Sequence, residues 1–275
     1  MTTAEESGFG PGASGPAGVS GPSGPSGLCE RQPIIIVLDV SASMARPADA
    51  PRIAEVNAAL ADFSTRVAAQ ARMREQVEVC LVAFGSEVRV LDPVAGALVD
   101  AEHADPARDF VPVGQLEPPQ LRADGYTALL PALDVALRLA AGRRRHLAEQ
   151  RVPVLRPLVW LLTDGAPSDE HGRPLDAEEL APMAGRLRAV EAAGPPEDCV
   201  FLAIGVRGAD RELLEVLAPR GTLMLEGVNF TEILKFLVRS SVRVGRVTTS
   251  GEVHDEVARE AEERRALREL EVDLL

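Results

Sequence analysis

The sequence predicts an α/β fold with a doubly wound, mostly parallel sheet of six strands, one antiparallel edge strand and helices on both faces. Short, continuous apolar runs typical of fully buried strands recur along the chain, and amphipathic stretches at helical spacing lie between them. Hydrophobic residues make up 46% of the 275 residues, which is enough for a packed core. Aromatic residues are only 3%, so we expect an aliphatic core.

The first half of this alternation begins at Pro33. The apolar run from Ile34 to Leu38 predicts the first strand, and Pro51 marks the start of a helix with apolar residues at Ile53, Val56, Leu60, Phe63 and Val67. A second strand is predicted from Val77 to Phe84, followed by an antiparallel hairpin strand from Val88 to Leu91. The stretch from Asp92 to Asp124 has five prolines and no sustained period, which predicts a long surface connection.

The second half repeats the pattern. The predicted elements are a helix opening at Thr127, a central strand at Leu158 to Leu162, a helix at Asp176 to Val190 with Asp176 as its cap, a buried strand at Val200 to Val206, a short helix at Asp210 to Leu217, an edge strand at Thr222 to Leu225 and a helix from Asn229 to about Arg243. Alternating strands and helices predict a parallel sheet covered on both faces.

Both ends of the chain differ from the central domain, which we place at residues 33–245. Residues 1–32 are rich in Gly, Pro and Ser, and glycine falls at every third position from Gly12 to Gly27. This tract is very short for a collagen triple helix, so a disordered tether is favoured. Residues 246–275 are dense in charge with a thin apolar stripe, which predicts a solvated helix or a tail that orders on binding.

Composition narrows the classes of partner and compartment. A net charge of −13 and a pI near 4.9 argue against nucleic acid as a partner, because phosphate binding relies on clustered Lys and Arg. The three cysteines, Cys29, Cys80 and Cys199, form no C-x-x-C pair, and buried, inert thiols are expected at the last two. No signal peptide or membrane-spanning run is visible, so we expect a cytoplasmic protein without a membrane partner.

Three sequence motifs place oxygen-bearing side chains at strand ends or helix starts. Asp39, Ser41 and Ser43 follow the first strand, Thr127 opens a helix after Gly125-Tyr126, and Asp164 follows the central strand within T-D-G. Carboxyl ends of parallel strands meet at one edge of a doubly wound sheet, where ligands bind. Oxygen-only donors favour Mg²⁺ or Mn²⁺ over thiophilic metals, so these residues predict a metal site.

The order D-x-S-x-S, Thr, T-D-G resembles the metal-ion-dependent adhesion site of von Willebrand factor A domains, and the resemblance covers roughly Pro33 to Val244. It implies a Rossmann-like fold and a non-enzymatic, cation-dependent protein-binding module. It further implies that Ser41 and Ser43 coordinate the cation directly, that Thr127 does so directly or through water, and that Asp39 and Asp164 act mainly through waters. A partner's carboxylate would then complete the coordination.

Two positions depart from the usual family pattern: Ala42 replaces a frequent Gly, and Tyr126 stands where the turn usually has a second Gly. The aromatic ring of Tyr126 could flank the ligand position or pack on the sheet edge. The stretches Leu161 to Asp169 and Gly125 to Leu129 resemble the bacterial intracellular branch associated with tellurite resistance and stress. That resemblance implies protein kinase and phosphatase partners.

Two alternatives remain at the level of sequence. A Mg²⁺-dependent phosphatase of the haloacid dehalogenase type also has an Asp at its first strand end, but it needs a second Asp two positions on, where this chain has Ser41. A metal-free scaffold would instead use the acidic carboxyl-terminal helix as its partner surface. Cation binding distinguishes the leading hypothesis from the scaffold, and turnover of a phosphate ester distinguishes the enzyme.

Overall fold

The computed structural model describes residues 30–69, 71–169, 171–224, 233–234, 251–259 and 262. The predicted tether at residues 1–32 lies almost entirely outside these ranges. Of the predicted helix from Asn229 to Arg243, only residues 233 and 234 are described, and both are helical.

The described chain alternates strands and helices around one sheet. The strands are β1 (Gln32–Asp39), β2 (Val77–Phe84), β3 (Val88–Asp92), β4 (Ala97–Asp100), β5 (Val111–Pro112), β6 (Leu158–Thr163), β7 (Val200–Gly205) and β8 (Thr222–Met224). The helices are α1 (Arg52–Ala68), α2 (Ala71–Gln76), α3 (Leu129–Glu149), α4 (Ala177–Ala192) and α5 (Arg211–Leu217). Asp176 caps α4 in a capping box with Glu179, as predicted.

The predicted fold class is confirmed, and the sheet is larger than the six strands expected. It has eight strands in the order β4-β3-β2-β1-β6-β7-β8, with β5 paired to β2. The strands β2, β1, β6, β7 and β8 are parallel, whereas β3, β4 and β5 are antiparallel additions.

The two strands that the sequence did not reveal lie in the segment expected to be a surface connection. β4 has only four residues and pairs with β3 after a turn in which Asp92 Oδ1 accepts hydrogen bonds from the amides of Val94 and Ala95. β5 has two residues, one of them Pro112, and pairs with β2 at Glu78 and Val79. Strands this short are set by their partners and leave no periodic signal.

Alternate residues of the sheet pack against helices on opposite faces. Ile34, Ile36 and Leu38 of β1 join the hydrophobic cluster that includes α1, whereas Ile35 and Val37 join the cluster that includes α3, α4 and α5. All eight positions of β1 are buried, which is why this strand reads as a continuous apolar run. Cys80 and Cys199 are buried, and burial raises the pKa of both thiols.

The strand order reverses between β1 and β6. After β1 the chain builds one half of the sheet through β2 and β3, and it then returns to place β6, β7 and β8 on the other side of β1. The carboxyl ends of β1 and β6 are therefore neighbours at the point where crossover connections leave in opposite directions. In doubly wound sheets this edge is where ligands bind.

Residues 251–259, which lie in the segment expected to be a solvated helix or a tail that orders on binding, contribute to the core. Residues 251–259 are helical, and Val253 and Val257 are buried in the same cluster as β7. His254 is 4% exposed, and its Nε2 lies 2.8 Å from Glu191 Oε1. Among the described residues, none of the helices combines the length and the apolar character that crossing a bilayer requires.

Candidate functional site

Asp39 ends β1 as a fully buried carboxylate with defined partners. Its Oδ1 accepts a hydrogen bond from the Ser41 amide at 2.8 Å, and its Oδ2 accepts one from Thr163 Oγ1 at 2.5 Å. Burial raises the pKa of Asp39 from 3.8 to about 6, although the hydrogen bonds from Ser41 and Thr163 act in the opposite direction. Asp39 therefore carries its charge at neutral pH with a high desolvation cost, and a nearby cation would reduce that cost.

A chain of hydrogen bonds links the β1 motif to the end of β6. Ser41 Oγ lies 2.8 Å from Ser43 Oγ, and Ser43 Oγ donates to Asp164 Oδ1 at 2.6 Å. Asp164 is separated from Ser43 by 121 residues, and the pairing of β1 with β6 brings the two together. The side chains of Ser41, Ser43 and Asp164 are thus joined at one sheet edge, and Asp39 joins them through the Ser41 amide.

Thr127 reaches the same edge through its backbone. Its amide donates to Ser168 Oγ at 3.0 Å, and its carbonyl accepts from the Ser168 amide at 2.9 Å. Gly125, two residues earlier, has a φ of +77°, and a Cβ there would lie 2.6 Å from Ser86 Oγ. Glycine is required at this turn for both reasons, and the turn directs Thr127 into the site.

Three loops are tied together beneath the site. The carbonyl of Val40 accepts from the Asp124 amide at 2.7 Å, and the carbonyl of Gly125 accepts from the Ala42 amide at 3.0 Å. The Val40 amide in turn donates to the carbonyl of Phe84, at the end of β2, at 2.8 Å. The loops that follow β1 and β2 and the loop that precedes α3 are therefore positioned by main-chain bonds.

Gly165 shows how closely the predicted ligands converge. A Cβ built on this residue would lie 3.5 Å from Ser43 Oγ, 3.5 Å from Thr127 Oγ1 and 3.8 Å from Asp39 Oδ2. Oxygens from two separate segments, the end of β1 with its loop and the turn before α3, therefore lie around one small space that the absence of a side chain leaves open. This donor set fits a hard divalent cation, which prefers several oxygen ligands and accepts water at the remaining positions.

The match to known families comes from the same region of the chain. Residues 34–165 match the family model of the von Willebrand factor type A domain. The match covers just under half of the chain. The matched stretch begins in β1 and ends at Gly165, so it contains all five predicted site residues. A search of curated proteins gave no significant match.

Solved structures similar to this chain come from bacteria and a mussel. The chain is 19% identical to a von Willebrand factor type A protein from Catenulispora acidiphila, with a TM-score of 0.46, over 77% of this chain and 43% of that one. Proximal thread matrix protein 1 from mussel byssus, with a zinc-occupied MIDAS motif, is 18% identical, with a TM-score of 0.44, over 78% and 46%. The pilus adhesin SpaC from Lactobacillus rhamnosus GG is 16% identical, with a TM-score of 0.48, over 79% and 31%.

The chain spans less than half the length of each of these three structures. Their low identities and TM-scores mean that the similarity carries no argument about binding.

Sequence reasoning missed three residues that contact the predicted ligands of this site. Thr163 donates to Asp39, Ser168 fixes Thr127, and Arg52 Nη1 donates to Asp164 Oδ2 at 2.6 Å. Arg52 left one signal, since it stands in the first turn of α1, where a cation opposes the helix dipole unless an acidic partner lies nearby. The contacts of Thr163 and Ser168 depend on residues about 40 or more positions away and left no such signal.

Tyr126 lies beside Thr127 with its side chain partly in solvent. The residue is 50% exposed, and a Cβ on Gly172 would lie 2.5 Å from Cδ1 of the Tyr126 ring. The ring therefore covers the backbone of Gly172 and remains accessible at the margin of the site. The ring packs against the loop at Gly172, and its role beside the ligand position stays a prediction.

Proposed function

We propose that this chain is a divalent-cation-dependent protein-binding module in which Asp39, Ser41, Ser43, Thr127 and Asp164 hold Mg²⁺ or Mn²⁺. The observation that supports this most strongly is the convergence of Ser43, Thr127 and Asp39 oxygens around the space at Gly165. Within the described part of the chain, no three His, Cys, Asp or Glu side chains cluster in a way that could hold a metal. The proposed site instead combines the hydroxyls of Ser41, Ser43 and Thr127 with the carboxylates of Asp39 and Asp164.

The ligand set explains how such a site would recognise a protein. The family resemblance assigns direct coordination to Ser41 and Ser43 and mainly water-mediated contacts to the two aspartates. Neutral hydroxyls leave a bound cation with most of its charge, and the cation then acts as a Lewis acid toward an oxygen ligand from outside. A carboxylate of a partner protein is the ligand that this charge favours.

An interaction module fits the domain better than an enzyme. Von Willebrand factor type A domains are generally non-enzymatic interaction modules, and residues 34–165 match that family. A phosphatase would need a second acid near Asp39 to protonate the leaving group, and Ser41 cannot serve at neutral pH. In this chain Ser41 instead contacts Ser43.

We also propose a more specific role for the chain, as an intracellular bacterial stress protein of the tellurite-resistance type. It would lie in the cytoplasm and bind kinase and phosphatase partners. It is supported by the resemblance of Leu161 to Asp169 and Gly125 to Leu129 to that branch. A pull-down with Mg²⁺ followed by elution with chelator tests it. The partner must be retained by wild type with Mg²⁺ and lost when the bait is Asp39→Ala.

The direct test of the proposal is calorimetric titration of the purified chain with Mg²⁺, Mn²⁺ and Zn²⁺. Zn²⁺ is included because it generally binds protein ligands more tightly than Mn²⁺. We expect cation binding in the micromolar-to-millimolar range and a loss of at least about tenfold in affinity in Asp39→Ala and Ser43→Ala, each of which removes one donor group. Asp62→Ala removes an acid of α1 that pairs with Arg66 and serves as the matched control.

Absence of binding heat in folded wild-type protein with all three cations would show that the proposal is wrong. A metal-free scaffold is then the second candidate, and one contact favours it. Arg52 gives Asp164 a counterion within the chain itself, at an Nη1 to Oδ2 distance of 2.6 Å. Partner binding that persists in chelator and survives Ser43→Ala would support the scaffold.

A further inference from the structure

Arg52 places a fixed positive charge directly against the proposed cation site. Its Nη1 donates to Asp164 Oδ2 at 2.6 Å and lies 3.4 Å from the carbonyl oxygen of Ser43. The Arg52 side chain is 21% exposed and that of Asp164 is fully buried. The guanidinium is therefore partly desolvated, and its field at the site is weakly screened.

The charges that face each other here are those of Asp39, Asp164 and Arg52. Two carboxylates and one guanidinium leave one net negative charge, which attracts cations and repels a partner's carboxylate. A bound divalent cation changes this balance to one net positive charge, which a single carboxylate neutralises. Without Arg52 the cation-loaded site would be neutral, and the same carboxylate would leave it negative.

We propose that Arg52 sets the charge selectivity of the site by weakening cation binding while strengthening the binding of an acidic group to the cation-loaded form. This inference rests on the proposed function and adds a residue to it. The two effects have one cause, since a fixed positive charge repels the cation and attracts the anion. Arg52 thereby makes recognition of an acidic partner depend more steeply on the cation.

Arginine suits this role because it stays charged in a partly buried place. The guanidinium charge is delocalised over a planar group and is more weakly hydrated than an ammonium charge. Its planar donors also reach Asp164 and the Ser43 carbonyl from one side chain. The position at the start of α1 is fixed by the helix and needs no loop rearrangement.

The first experiment measures Mn²⁺ affinity by calorimetry in wild type, Arg52→Gln and Arg66→Gln. Arg66 stands on the same helix, pairs with Asp62 and is 61% exposed in its side chain, so its variant removes an equal charge away from the site. We expect Arg52→Gln to bind Mn²⁺ about tenfold or more tightly than wild type. Arg66→Gln should stay within about twofold of wild type, because exposed charges are screened.

The second experiment uses acetate as the probe of anion binding. Free Mn²⁺ is followed by electron paramagnetic resonance at fixed ionic strength while acetate replaces chloride, with a protein-free titration to correct for Mn²⁺-acetate pairing. Acetate should raise the apparent Mn²⁺ affinity of wild type, because each ligand favours the other when bound together. The same rise should be at least several-fold smaller in Arg52→Gln.

The outcomes separate this inference from the proposed function. If folded wild type binds no Mn²⁺, the proposed function itself fails. If wild type binds Mn²⁺ and folded Arg52→Gln binds it equally or more weakly, or responds to acetate as wild type does, the role of Arg52 is overturned while the cation site stands. Arg52→Met is a second neutral variant in case Gln lowers the melting temperature.

Arg52→Lys tests whether charge or hydrogen-bond geometry matters. It keeps the positive charge and changes the shape of the donor group, so we expect Mn²⁺ affinity within about threefold of wild type. Mn²⁺ affinity of Arg52→Lys as high as that of Arg52→Gln would overturn the charge argument.

Discussion

At the scale of single residues, the site is built around a carboxylate that is costly to keep charged. Asp39 is fully buried, and its pKa is raised from 3.8 to about 6 because burial outweighs its hydrogen bonds. The native metal-free state therefore binds a proton at Asp39 more tightly than the unfolded chain does. Between these two pKa values, the proton stabilises the folded state.

The sign of this linkage gives a pH prediction. Lowering the pH from 7 to 5 in chelator should increase the free energy of unfolding of wild type relative to Asp39→Asn by about 1 kcal/mol, because Asp39 becomes protonated only in the folded state over this range. Urea denaturation of both proteins at the two pH values measures the difference. A difference that is independent of pH, or that decreases on acidification, would contradict the raised pKa.

Gly165 offers a way to remove cation binding with little effect on folding. The Cβ of Gly165→Ala would lie at ordinary van der Waals distances, 3.5 Å from both Ser43 Oγ and Thr127 Oγ1, and would fill the space between the predicted ligands. We expect a loss of at least about tenfold in Mn²⁺ affinity with a change in unfolding free energy of less than about 1 kcal/mol. Calorimetry and urea denaturation measure the two quantities.

The matched control for this substitution is Gly194→Ala, because a Cβ there meets no atom within 4 Å. Cation affinity in Gly165→Ala equal to that of wild type would mean that the cation binds elsewhere.

At the scale of elements, the helical residues 251–259 join the central domain despite their charge-rich sequence. Val253 and Val257 enter the core, and His254 lies against Glu191, whose Oε1 also accepts from the Phe201 amide near the start of β7 at 2.9 Å. These contacts are at the amino end of β7, whereas the candidate site is at the carboxyl ends of β1 and β6. The helical residues 251–259 therefore pack near one end of the parallel strands, and the candidate site lies at the other end.

This arrangement predicts a large stability effect without a change at the site. Val257→Asp should lower the unfolding free energy by about 3 kcal/mol or more, because an unpaired charge would enter an apolar cluster. Asp255→Ala, at an exposed acid near Arg220, should change it by less than about 0.5 kcal/mol. Mn²⁺ affinity measured under native conditions should be the same in both variants as in wild type.

Urea denaturation followed by circular dichroism provides the stability measurement for this pair. Equal, small effects of the two substitutions would mean that residues 251–259 contribute nothing to the folded domain.

At the scale of the whole molecule, topology decides where function can reside. The sheet order reverses between β1 and β6, so two crossover connections diverge and leave an open edge between them. The predicted ligands Ser43 and Asp164 are 121 residues apart in the chain, yet they meet at this edge because β1 and β6 pair in parallel register. The net charge of −13 adds a field that concentrates cations near the surface.

The sequence by itself determined the alternation of strands and helices and the residues at the ends of β1 and β6. Buried parallel strands need continuous apolar runs, so Ile34 to Leu38 and Leu158 to Leu162 were visible without a structure, and the polar residues after them marked the sheet edge. The capping box at Asp176 was visible for a similar reason, since a cap is a local hydrogen-bonding pattern.

Only the tertiary structure decided which distant side chains meet. Arg52 pairs with Asp164 across 112 residues, β4 and β5 exist through pairing with longer strands, and Val257 is buried although its helix has a thin apolar stripe. Each of these depends on a contact surface made by another part of the chain. Local periodicity reports how a segment divides between core and solvent, and it cannot report which surface will cover that segment.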